Sequence, residues 1–246
     1  MKLKSLILAA SALGAAAALS TSANAQGSFG VTYFEVPSNF GGDFGICCSS
    51  PPATTAIISL GAALGPNGRP VAEAGSTAVD VDAVTHELGW WSVGNGITAT
   101  GTGTLPLPLP LTNMYAPNST GTNNGSFFET ALLQGTFTGS GSAASLTVTS
   151  DDDAFVYLDG FFIGGNPGVH GNTTTVISLG TLTGNHSLTV FYADRAQTGA
   201  DLALTGIGLD TLHGSAPQPA TWAMMLAGFG GLGAMLRRRR AVAATA

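Results

Sequence analysis

Lysine is missing from the body of this chain. Between residues 26 and 236 the only basic side chains are Arg69 and Arg195, set against all 14 Asp and Glu, an excess of about 12 negative charges. A surface of that sign repels phosphate backbones and argues against nucleic acid as a partner. It also argues against a salt-bridged grip on acidic polymers, while it attracts divalent cations. Cysteine is nearly absent too: the only two, Cys47 and Cys48, are neighbours. Consecutive Cα atoms lie closer together than a disulfide normally allows, so these two bridge only through a strained ring or to another chain. Two ligands are also too few for a zinc site. His170 has no Ser, Cys or second His spaced to make a triad or a metal motif, and reads as a loop histidine bonding a backbone carbonyl. Helical periodicity is absent from the body and no repeat of fixed period is evident, which disfavours helical bundles and solenoids.

Long apolar runs occur only near the two ends. Lys2 and Lys4 precede an apolar run over residues 6–19, and Ala23-Asn24-Ala25 supplies small residues for cleavage, so residues 1–25 read as a signal peptide that signal peptidase cuts after Ala25. Residues 220–236 form the second run, about 26 Å long as a helix and just enough for one crossing of a bilayer core. Arg237, Arg238, Arg239 and Arg240 follow it and stay on the cytoplasmic side, with Trp222 at the opposite interface.

Residues 26–212 read as an all-β region, an antiparallel β-sandwich of jelly-roll-like type. Expected strands are 28–36, 54–60, 77–85, 97–105, 127–137, 145–149, 154–158, 161–163, 174–179, 187–192 and 202–209, each rich in β-branched or aromatic residues and bounded by Gly, Asn or Pro. Pro106, Pro108 and Pro110 alternate with leucines, which limits that segment to an extended edge or a linker. Residues 115–125 are a polar loop. Trp90 and Trp91 could stack on sugar rings, but paired tryptophans in a β-protein more often fill a core.

One stretch organises the rest: DDDAFVYLDGFFIGGNPGVHG, residues 151–171. Asp159-Gly160 between apolar strands is a strong hairpin signal. Asp151, Asp152 and Asp153 repel one another unless water or a cation screens them, and alternation along a strand lets at most two aim at one spot. Two such carboxylates with loop carbonyls and waters suit calcium, which takes six to eight oxygen ligands at about 2.4 Å. Composition alone reads the same triplet as a solvated acidic turn. Asp153 with Asp159 would be a carboxylate pair for glycoside hydrolysis, but Asp159 belongs to the turn.

The order of residues adds to this. TGSGSAASLTVTSDDDAFVYLDGFFIGGNPGVHG followed by SLTVFYADRAQTGADLAL resembles the fibro-slime domain, itself similar to the protective-antigen-like β-sandwich of yeast flocculins and of modules appended to bacterial glycosidases. The resemblance covers residues 132–209 and rests on the acid triplet, the Asp159-Gly160 turn, Gly168-Val169-His170-Gly171 and Phe191-Tyr192-Ala193-Asp194-Arg195. It implies calcium held by two successive aspartates joined by a cis peptide, Asp151-Asp152 or, one residue on, Asp152-Asp153, together with Asp194 from a second loop. The ion would then coordinate sugar hydroxyls. Asp194 stands where many family members have Glu, and Ala196-Gln197 replaces a common His.

The tail PQPATWAMMLAGFGGLGAMLRRRR, within residues 213–246, resembles the PEP-CTERM sorting tail. In that family a Pro-Glu-Pro motif, a membrane helix and an arginine cluster direct cleavage by an exosortase; here the motif is Pro217, Gln218 and Pro219, with Gln in place of Glu. The resemblance implies a Gram-negative bacterium that exports polysaccharide, transient anchoring in the inner membrane, and release to the surface or extracellular matrix. The expectation is a non-enzymatic protein that binds extracellular polysaccharide through calcium in a biofilm. The alternatives are a structural matrix protein without a ligand and, last, a glycan-processing enzyme.

Overall fold

The computed structural model describes residues 27–37, 42–45, 54–115, 127–196, 199–209 and 212–214. The signal segment with Ala23 and Ala25, Cys47 and Cys48, and the tail with its sorting motif, apolar span and arginines lie outside the described residues.

The described residues are all-β and antiparallel. In chain order the strands are β1 (Gly27–Pro37), β2 (Thr98–Leu107), β3 (Leu109–Asn113), β4 (Phe127–Asp151), β5 (Asp153–Leu158), β6 (Phe161–Asn166), β7 (Thr173–Ala193), β8 (Asp201–Ile207) and β9 (His213–Gly214). Where two strands each were expected over 127–149 and 174–192, β4 and β7 run through unbroken and pair with each other from Thr130↔Ala193 to Ser150↔Thr173. The glycines that looked like breaks are tolerated because the two strands pair with each other along nearly their whole lengths. An extra residue on β4 between Ser140 and Ala143 shifts the register and inverts which residues face inward. Before it Ala131, Leu133 and Phe137 are buried; after it Ala144, Leu146 and Val148 are.

That irregularity divides the sheet into two layers. The first runs β2-β1-β4-β7-β5-β6 and uses the first half of β4; the second sets β3 and β8 beside the second half of β4. Residues from both layers, among them Phe29, Val31, Leu133, Leu146, Val148, Val190, Leu202 and Leu204, form one buried core, as a sandwich requires. The proline segment carries the chain between layers: β2 pairs only with β1, the Leu107–Pro108 peptide is cis, and β3 pairs with β8.

A second core lies on the other face of the first layer. Phe34, Phe128, Phe155, Tyr157 and Phe191 are covered there by Ala56, Leu88, Trp90, Trp91 and Ile97. The strands expected at 54–60 and 77–85 are not formed; that segment is turns and isolated bridges such as Val71↔Glu87 and Val81↔Leu88. Ile57, Leu60, Val79 and Val84 point to solvent, so the stretch has no continuous apolar face to register against a sheet. Trp90 and Trp91 are core residues, with their indole N–H groups donating to Asp43 Oδ2 (3.0 Å) and the Tyr192 carbonyl (2.8 Å).

Candidate functional site

The acid triplet sits where the chain changes layers. Asp151 ends β4 beside β8, Asp153 begins β5 beside β7, and Asp152 links them, with a cis Asp151–Asp152 peptide. Each of the three aspartates meets a different environment.

Asp152 is buried and ties two loops together. Its Oδ1 accepts the amide of His170 (2.8 Å), while Oδ2 accepts the amides of Arg195 and Ala196 (both 2.9 Å). The loop after β6 and the segment after β7 therefore meet on one carboxylate, immediately beside Asp194. Asp194 is buried, and its amide donates to the Glu129 carbonyl (2.9 Å).

Asp153 faces the interior. Its Oδ2 accepts Arg195 Nε at 2.7 Å and its Oδ1 accepts the Gly168 amide at 2.5 Å, so both oxygens are engaged. Burial pushes its carboxyl up, and Arg195 with the Gly168 amide pulls it back. Arg195 is equally buried; its Nη1 donates to the carbonyls of Asp43 (3.1 Å) and Thr54 (3.0 Å), and its guanidinium lies 4.8 Å from the centre of the Trp90 ring. With Arg69 paired to Glu87 at 3.1 Å, both basic side chains of the body are committed to ion pairs.

Asp151 faces other acids. The β4–β8 register sets it directly opposite Asp201, an arrangement of like charges that destabilises a strand pair. Burial, then the neighbouring Asp152 and Asp201, push its carboxyl up to about 7. Gly199 packs over it in a left-handed conformation (φ 122°), and a Cβ there would fall 2.3 Å from Asp151 Oδ2. The Tyr192 hydroxyl donates to the Asp151 carbonyl. Burial pushes that phenol far up, helped by Asp194, Asp152, Asp151 and Asp201, whose charges converge on it.

A second like-charged pair adjoins the corner. Glu35 and Glu129 are register partners on β1 and β4, and burial together with Glu35 pushes Glu129 up to about 8. Among the described residues no three His, Cys, Asp or Glu side chains are gathered closely enough to hold a metal ion on their own. A cation here would need backbone carbonyls and waters to complete the carboxylate set, a mixture of donors that calcium accepts.

His170 lies in its loop between the carbonyls of Gly171 (3.0 Å) and Asn166 (3.4 Å), as a structural histidine does. Asp153 and Asp159 stand at opposite ends of β5, on the order of 20 Å apart at the usual rise per residue, too far for a hydrolytic pair. Sequence reasoning missed Asp201, Glu35, Glu129 and Gly199. Their roles come from cross-strand register, and the nearest sequence signal was Asp201 opening an apolar run after a glycine.

Known proteins bear on the two parts of the chain differently. Residues 215–240 match the PEP-CTERM protein-sorting motif, which implies exosortase processing and fits secretion and surface sorting. No curated protein matches the chain. Among solved structures it is similar to a PA14 sugar-binding domain from an RTX adhesin, at 24% identity over 32% of this chain and 46% of that one, with a TM-score of 0.30. It is also similar to the PA14 domain of the antifreeze protein MpAFP, at 16% identity over 37% and 55% of the two chains, with a TM-score of 0.29. A β-glucosidase from Kluyveromyces marxianus in complex with glucose matches at 10% identity over 43% of this chain and 14% of that one, with a TM-score of 0.31. The chain thus spans about half the length of the two PA14 structures. Its described residues form an all-β, antiparallel fold of sandwich type, and the chain carries a PEP-CTERM sorting motif.

Proposed function

We propose that this chain is a non-enzymatic protein of the cell surface or extracellular polysaccharide matrix, and that it binds carbohydrate through a calcium ion at the corner formed by Asp151, Asp152 and Asp194. The observation that carries this reading is the concentration of acids there: Asp151 opposes Asp201 in register, and Asp152, held by backbone amides, lies beside Asp194. Such a cluster is stabilised by a bound cation, and neither basic side chain of the body is left to supply one. Asp151 and Asp152 contribute from one loop and Asp194 from the other. Asp153 is left out, because the buried Arg195 guanidinium already neutralises its charge, whereas Asp152 accepts only backbone amides. Calcium would supply a positive centre for vicinal sugar hydroxyls on a protein that has no basic surface to offer.

The PEP-CTERM match supports a route to the surface. On this reading signal peptidase cuts after Ala25, the span 220–236 holds the chain in the inner membrane, and exosortase releases it at Pro217-Gln218-Pro219. A glycan array probed with the secreted protein tests the function. A set of glycans whose binding calcium supports and a chelator removes is the expected result; no binding under either condition returns the protein to a structural matrix role.

A further inference from the structure

A cleft of about 340 Å³ opens in the segment between β1 and β2, with none of the acid triplet in its lining, which includes Arg69, Asp80, Val81, Ser92, Val93 and Asn95. That volume lies at the lower end of the range for small-ligand pockets, roughly 300–1,000 Å³, and suits one small ring rather than an extended chain.

Its charged groups are held rigidly. Glu87, in the cleft wall, is fully engaged: Oε1 accepts the Asn67 amide (2.8 Å), and Oε2 accepts Asn67 Nδ2 (2.6 Å), Arg69 Nη2 (3.1 Å) and the Thr85 hydroxyl (3.1 Å). Asp82 Oδ1 caps the amides of Val84 (2.9 Å) and Thr85 (2.7 Å). Those two acids are therefore occupied in shaping the loop. Arg69 is fixed in direction by Glu87. Asp80 is fixed by its own backbone, whose N–H donates to Asp43 Oδ2 (2.9 Å) and whose carbonyl accepts the Gly89 amide (2.9 Å). Gly89 makes room for the Asp80 carboxylate, since a Cβ there would lie 2.2 Å from Oδ2.

We infer that this cleft is a second, metal-independent site for a single neutral sugar ring. The donor and acceptor set on the lining consists of the Arg69 guanidinium, Asp80 Oδ1, the Asn95 amide and the Ser92 hydroxyl, which together match vicinal hydroxyls, while Asp80 Oδ2 is buried against Gly89. Val81 and Val93 offer an apolar wall for the C–H face of a ring, and Val93 is 67% exposed. Acidic sugars are disfavoured because Asp80, Asp82 and Glu87 surround the one cation. Burial, then Asp43, push Asp80 up to about 6 against the pull of Arg69, in keeping with a carboxyl partly withdrawn from water. The site lies beyond the calcium corner, and only its ligand class rests on the carbohydrate reading. Two sites on one chain would let it cross-link polymer strands.

The test is a glycan array of neutral and uronic-acid oligosaccharides, read in EDTA so that the calcium corner is silent. The secreted wild-type protein is expected to keep a signal on neutral glycans. Asp80→Asn is expected to reduce it by about tenfold or more. Asn95→Gly, an exposed change that preserves the left-handed backbone (φ 52°), should do the same with an unchanged melting temperature. No EDTA-resistant signal in wild type, an undiminished signal in both cleft variants, or a preference for uronic acids overturns the inference. The calcium reading fails separately, if chelation leaves the whole array pattern unaltered.

Discussion

The two ends of β5 carry aspartates with opposite fates. At the far end Asp159 opens the hairpin turn with its side chain 44% exposed, and accepts His186 Nδ1 (2.7 Å) and the Ser187 amide (2.8 Å). Burial pushes its carboxyl up, but the bonds from His186 and Ser187 outweigh that and hold it low. At the near end Asp151 meets Asp201 and Asp152, and only Asp153 has a full cationic partner. What separates a structural acid from a candidate ligand is thus the sign of what faces it across the strands.

The largest effect should come from removing the near end's one cation. Arg195→Met leaves Asp153 buried without its cationic partner and is expected to cost about 3–5 kcal/mol in urea denaturation, part of it recovered by adding Asp153→Leu. Stability close to wild type would mean that Asp153 is not held by Arg195. Next, Gly199→Ala drives a Cβ into the Asp151 carboxylate in a backbone conformation that alanine resists, an expected loss of about 1–3 kcal/mol. A silent substitution would show that the loop does not pack on Asp151.

Smaller effects follow from pH, and the two ends should respond differently. In chelator, the folded protein holds protons on Asp151 and Glu129 that the unfolded chain has already released. Their stabilisation is complete below about pH 4, the unfolded value, and is lost as pH rises through about 7 for Asp151 and about 8 for Glu129. Melting temperatures should therefore fall between pH 5 and 8 in EDTA, and Asp201→Asn should flatten the slope. At the other end Asp159 is lowered, so its contribution is lost as pH falls through its folded value. His186 is raised, chiefly by its bond to Asp159, so its contribution is lost as pH rises through its folded value. The pair works between those limits, and because it is solvent-screened His186→Gln should cost under about 1 kcal/mol.

The fold class, the Asp159-Gly160 hairpin and the edge position of the proline segment could be read from alternation and turn chemistry, which are local. In the structure Asp159 and Gly160 both take positive φ, 51° and 81°, as that turn needs. The continuity of β4 and β7 could not be read, because it depends on two glycine-containing stretches finding each other across the sheet. Nor could the loss of strand pattern at 54–60 and 77–85, where Ile57, Val79 and Val84 point to solvent and the stretch is built of turns. At the site, Asp151, Asp152 and Asp194 were visible as residue types in order. That Arg195 withdraws Asp153, and that Asp201 faces Asp151, are facts of register and burial that a linear pattern does not contain.

Calcium titration of the secreted protein after chelation, by calorimetry and by melting temperature, tests the central claim most directly. The account predicts saturable binding and a rise in melting temperature in wild type, both lost in Asp152→Ala and in Asp194→Ala. Absence of heat and of any thermal shift in wild type, or isotherms that do not differ between wild type and these variants, would contradict it.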